Sequence, residues 1–156
     1  PDVEDISYDA LNDMPYTEAV VKETLRHYPL GSFVVSRECT ADIDICGYSF
    51  KKGDLVQTDT WTMHMDKTVW GEDAEEFRPE RWFENSDRQR AAFQAFGEGP
   101  RMCLGMRLAM MEEKVALINV LKRFTIEKSE HTNPLKLVGS FTVGPTNVNV
   151  RLRRRE

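Results

Sequence analysis

Cys103 lies in the run Phe96-Gly-Glu-Gly-Pro-Arg-Met-Cys-Leu-Gly105, and a long helical pattern starts at about Leu104. Gly97 and Gly99 tolerate backbone angles that other residues resist, so the loop can fold tightly beneath something flat. A cysteine just ahead of a helix sits near unpaired backbone N–H groups and the positive end of the helix dipole, which favours its thiolate. A thiolate serves as nucleophile, redox sulfur or metal ligand. No histidine lies nearby in sequence as the base a nucleophile needs, although the fold can bring one. No second cysteine or histidine is near enough in sequence for a zinc site, and the Gly-Lys-Ser/Thr of a phosphate loop is absent.

One soft sulfur beside one guanidinium, that of Arg101, suits haem: sulfur for iron and guanidinium for a propionate carboxylate. Taken alone, Cys103 reads best as a buried, inert thiol, but the ten-residue arrangement weighs against that. The stretch resembles the haem-binding loop of the cytochrome P450 superfamily: Phe, two residues, Gly, one, Arg, one, Cys, one, Gly. The fixed positions are Phe96, Gly99, Arg101, Cys103 and Gly105. The resemblance implies that these residues bind haem b and that Cys103 is the axial iron ligand.

The elements that must position this loop begin with a predicted helix over residues 16–27. Asp13 is a candidate cap, Pro15 falls in the first turn, and Tyr28-Pro29 is the stop. Tyr16, Val20, Val21, Thr24, Leu25 and Tyr28 form its apolar stripe. Glu23 and Arg26 share one face, and alone such a pair is a solvated contact of little energetic value. Glu-Thr-Leu-Arg also matches the Glu-x-x-Arg motif of the same superfamily. There the ion pair is completed by an arginine of a Pro-Glu-Arg segment, here Arg81. The resemblance thus implies a buried structural triad of Glu23, Arg26 and Arg81 that fixes the Cys103 loop. Trp82 stands where many members have phenylalanine.

Residues 33–58 alternate like strands, with turns at Cys46-Gly47-Tyr48 and Lys52-Gly53-Asp54. Arg37 on this pattern wants an anionic partner. The resemblance makes that a haem propionate, and a sheet-edge salt bridge is nearly as good an account. Ser32, Phe33 and Val34, with Phe141 further on, resemble substrate-lining stretches, and each also reads as apolar packing. A short helix is expected over 60–66, where His64 reads as a hydrogen-bonded structural histidine. Residues 69–90 are loop-rich and charged, as in the superfamily's meander.

The longest helical pattern spans 104–123, with Leu104, Leu108, Met111, Val115 and Ile118 on one face and further apolar residues widening it. Met106, Met110 and Met111 read as adaptable core fillers. Strand candidates follow at 124–128, 135–138, 141–143 and 148–152, with Gly144-Pro145 as a turn and a solvated basic end. The fold class expected is mainly α with small β-sheets (α+β), the carboxy-terminal part of the cytochrome P450 fold, as one domain over 1–156.

The 156 residues are 40% hydrophobic and 30% charged, an ordinary globular composition. A net charge of −5 argues against nucleic-acid binding. Cys39, Cys46 and Cys103 form no disulfide framework, which favours a reducing compartment. No run is long and apolar enough to span a bilayer, and no signal peptide is visible. The first residue, Pro1, together with the resemblance, gives the expectation of a carboxy-terminal fragment.

By resemblance the intact protein is a haem-thiolate monooxygenase acting on a small lipophilic substrate, with electrons from NADPH through NADPH–cytochrome P450 reductase. The wording around Cys103 is similar to animal microsomal members. That implies the cytosolic face of the endoplasmic reticulum membrane, held by an amino-terminal anchor absent here. The oxygen-activating helix has no counterpart in this sequence, so no catalytic residue is named. The alternatives are a haem-binding protein without oxygenase activity, an inactive truncated remnant, or a haem-thiolate isomerase of peroxides.

Overall fold

The computed structural model of the chain describes residues 7–32, 36–132, 134–139 and 142–155. These form helices interspersed with two-stranded antiparallel ladders, an α+β arrangement. The acidic start, weak in sequence signals, contains a short helix, α1 (Tyr8–Asn12), where Ser7 accepts from the Ala10 N–H at 3.2 Å. The long helix α2 (Pro15–His27) begins with Pro15, whose missing N–H costs nothing in a first turn. Asp13 does not cap α2. It closes α1 instead, its N–H donating to the Asp9 carbonyl at 3.1 Å, and Met14 precedes α2 without a side-chain bond.

The alternating region resolves into β1 (Ser36–Glu38), β2 (Ile43–Ile45), β3 (Tyr48–Phe50) and β4 (Leu55–Gln57), with β1 paired to β4 and β2 to β3. Cys46 and Gly47 both have positive φ, 51° and 84°, which gives the β2–β3 hairpin a two-residue turn of matching twist. Helices α3 (Thr60–Met65) and α4 (Lys67–Trp70) are capped by Asp59 and Asp66. The charged meander contains a 3₁₀ turn, Pro79–Phe83, and α5 (Asp87–Ala92), which opens on a capping box of Ser86 and Gln89.

A second 3₁₀ turn, Gly99–Arg101, leads to α6 (Met106–Arg123). After it, β5 (Phe124–Lys128) pairs with β8 (Val150–Arg154), and β6 (Leu137–Gly139) with β7 (Val143–Pro145). Gly144 and Pro145 are therefore ladder residues opposite Val138 and Leu137, not a turn. The basic end is a strand with exposed side chains, one of which, Arg153, bonds Glu127 at 2.6 Å.

The core is aromatic and sits beside α2: Trp70, Ala74 and Ala92 are buried, with Met63, Val69, Trp82 and Phe93 packed on them. The apolar stripe of α6 is less covered than its pattern requires. Leu104 and Leu108 are 103% and 57% exposed, and among the helix's described residues only Lys114 is buried. Met106, Met110 and Met111 line a cleft of about 300 Å³ with Leu11 and Phe96 instead of filling a core.

Candidate functional site

Glu23 and Arg26 are 0% exposed and Arg81 4%, so the pair on α2 is not a solvated surface contact. Arg26 grips Glu23 with two parallel bonds, Nε to Oε2 and Nη2 to Oε1, each 2.9 Å. Arg81 Nε donates to Oε1 at 3.0 Å, the Arg78 backbone N–H to Oε1 at 2.9 Å, and the Trp82 indole N–H to Oε2 at 3.0 Å. Burial by itself raises the Glu23 pKa. The groups around it, His27 at 3.6 Å, the Arg26 guanidinium and the Arg78 N–H, override burial and hold the carboxyl well below the usual carboxylate range.

The guanidiniums are satisfied on their outer sides too. Arg81 donates to the carbonyls of Trp70 (3.2 Å), Asp73 (2.9 Å) and Glu76 (3.2 Å) and to the Asp73 carboxylate (3.4 Å). Arg26 Nη1 donates to the His64 carbonyl at 2.6 Å, and its guanidinium lies 5.1 Å from the centre of the Trp70 ring. The node therefore ties α2 to α3, α4 and the 3₁₀ turn. Trp82 had a signal in the sequence, since a buried indole N–H needs a partner. Asp73 and the accepting carbonyls had none.

The Cys103 loop is closed across its neck: the Cys103 N–H donates to the Phe96 carbonyl at 2.8 Å. Gly97 and Gly99 take φ of 68° and 75°, which L side chains rarely adopt, and these two angles let eight residues return on themselves. The Gly97 N–H bonds the Gln94 carbonyl (3.1 Å) and the Met102 N–H the Gly99 carbonyl (3.0 Å). Cys103 is a free, exposed thiol, three residues ahead of α6, with Arg101, Met102 and Leu104 exposed around it. A side chain at Gly105 would reach within 4.0 Å of its sulfur.

Arg37 is exposed on β1, opposite Val56, and its Nη1 bonds the Ser36 carbonyl at 2.7 Å. Ser32 is buried, and its hydroxyl donates to the Pro29 carbonyl at 2.7 Å, a local turn bond. Phe33, Val34 and Phe141 lie outside the described residues. Among the described residues, the Val143 N–H donates to the Leu30 carbonyl at 2.8 Å.

Among the described residues no three His, Cys, Asp or Glu side chains converge as a metal site, and no helix is long and apolar enough to cross a membrane. What the loop offers is one exposed sulfur, a guanidinium two residues away and an apolar rim of Met102 and Leu104. That donor set fits a flat, iron-bearing group with anionic arms.

The cytochrome P450 family pattern matches residues 1–152, and the chain belongs to that family. It is 49% identical over 155 residues to the Caenorhabditis elegans protein named cytochrome P450 CYP13A5, covering 97% of this chain and 30% of that one. CYP13A3 and CYP13A4 of the same organism are each 48% identical over 159 residues, 99% of this chain and 30% of theirs. The chain thus spans about a third of the length of these relatives.

Proposed function

We propose that this chain supplies the cysteine-ligand side of a haem-thiolate monooxygenase, which inserts one atom of O₂ into a lipophilic organic substrate and reduces the other to water. The observation that carries the reading is the exposed Cys103 thiol in a neck-closed, glycine-bracketed loop of a cytochrome P450 family chain. Bound haem b would supply redox-active iron, onto which a thiolate pushes electron density. Cys103 would hold the iron. Arg101 and Arg37 would present guanidiniums to the propionates, and Phe96, Gly99 and Gly105 would shape the loop against the ring. The Glu23, Arg26 and Arg81 node would keep that loop in place. Electrons would arrive from NADPH through a reductase, and the intact protein would sit at the endoplasmic reticulum membrane, by analogy with the animal microsomal members that the Cys103 loop resembles.

In the intact protein, Cys103→His should abolish the thiolate-type spectrum of the reduced carbon monoxide complex. A surviving thiolate spectrum would remove Cys103 from the iron.

A further inference from the structure

Among the described residues, one buried side chain bonds both to the Glu23 node and to the segment that opens the Cys103 loop. His64 is 0% exposed, stacked on Phe93 at 5.5 Å and edge-on to Trp70 at 6.4 Å. Its Nδ1 lies 3.1 Å from the Arg26 carbonyl, which only accepts, so Nδ1 carries the proton. Its Nε2 lies 2.9 Å from the Gln94 backbone N–H, which only donates, so Nε2 is the bare acceptor. The two partners together select one neutral tautomer. Burial agrees, since it pushes the imidazole down to about 4, with the Arg26 charge adding to it against the bond to the Arg26 carbonyl.

The connection continues on both sides. The Arg26 side chain returns to the His64 carbonyl at 2.6 Å, so residues 26 and 64 clasp each other twice, and Arg26 in turn holds Glu23. The Gln94 carbonyl accepts from Gly97, opening the turn whose next residue back, Phe96, takes the Cys103 N–H. Gln94 is thus where the loop that presents the sulfur is pinned to the buried interior.

We infer that His64 is a positioning residue: it fixes Gln94, and through the Gln94–Gly97 turn and the Phe96–Cys103 bond it sets where the Cys103 sulfur stands. The inference rests on the haem-thiolate reading and adds the link by which the buried node reaches the sulfur. It assigns His64 a role beyond packing, one that depends on a single acceptor lone pair.

The test uses the intact protein and two substitutions. His64→Phe keeps the stack and removes both bonds. His64→Gln loses the stack and places an amide oxygen where Nε2 was, so it can still accept from the Gln94 N–H. The first readout is the share of reduced carbon monoxide complex in the thiolate form among molecules that hold haem. A packing defect lowers yield and melting temperature and leaves that share alone. We expect the share to fall at least severalfold in His64→Phe and to return to most of the parent value in His64→Gln. The second readout needs no haem loading: amide hydrogen exchange at Gln94 and Cys103 should quicken at least tenfold in His64→Phe and stay slow in His64→Gln. If His64→Phe fails to take up haem, the exchange rates of the two apoproteins decide. A thiolate share equal to the parent's in His64→Phe, or equal exchange in the two variants, overturns the inference. A parent protein without a thiolate spectrum would instead overturn the haem-thiolate reading.

Discussion

Glu23 keeps its charge at zero exposure because five N–H donors, from Arg26, Arg81, Arg78 and Trp82, converge on it within 3.0 Å. His64, bonded to Arg26 on the other side, keeps its neutrality for the opposite reason, since burial and the Arg26 charge oppose its proton. The two groups give separate acid sensitivities. For His64 the folded pKa, about 4, lies below the ordinary 6.5, so the unfolded chain takes the proton first as pH falls. Its share of stability is complete above pH 6.5 and drains between 6.5 and about 4, by ~3 kcal/mol. Glu23 is likewise depressed, from 4.5, so its share is complete above that value and drains as pH falls below it. Urea unfolding of the intact protein should therefore lose stability in two stages. His64→Gln should remove the upper stage and spare the lower, whereas an unchanged upper stage would assign it to another group. Of these residues, Glu23, Arg26 and Arg81 are legible in the sequence only through the resemblance of their Glu-x-x-Arg and Pro-Glu-Arg segments to family motifs, since the spacing alone reads as a solvated pair. The carbonyls of Trp70, Asp73 and Glu76 are not, because every residue has one and only the fold selects which is used.

At the scale of elements, one buried lysine of α6 ties it to both α1 and α2. Lys114, 5% exposed, donates to the Leu11 carbonyl at the end of α1 (3.2 Å) and to Glu18 on α2 (2.9 Å). Glu18 also binds Lys22 at 2.7 Å, and these bonds, that from Lys22 foremost, hold its pKa below the ordinary value despite partial burial. Lys114→Met keeps volume and apolar stem but strands the Leu11 carbonyl. Because Glu18 retains Lys22, the cost expected is that of one buried unmet acceptor, ~1–3 kcal/mol by denaturant unfolding. A loss below the error of the measurement would place the attachment of α6 in its methionines instead. The extent of α6 is readable from its period. Its buried side is not, because a periodic stripe marks which face prefers cover without marking what provides it, and the lysine that reaches inward breaks the stripe's own rule.

The whole molecule carries more surface than a folded chain of its mass tolerates. It exposes 11347 Å² at 18.0 kDa, whereas a folded monomer of that size exposes roughly 8,000 Å². The excess is roughly 3,000 Å², and the exposed apolar side chains include Met102 and Leu104 on either side of Cys103, Leu108 on α6, and Tyr48 and Leu55 on the strands. Large apolar side chains left exposed together mark a face that something else covers, or a liability to aggregate. The relatives are about three times as long, so they have the chain with which to cover it. An exposed sulfur face also leaves any bound iron open to water, and oxygen chemistry needs enclosure. Residues 1–156 expressed alone with haem supplied should therefore associate in sedimentation, melt without a cooperative transition, and show no NADPH-dependent oxidation with a reductase. A monomer that melts cooperatively and oxidises substrate would mean that the aromatic core and the Glu23 node suffice without further cover.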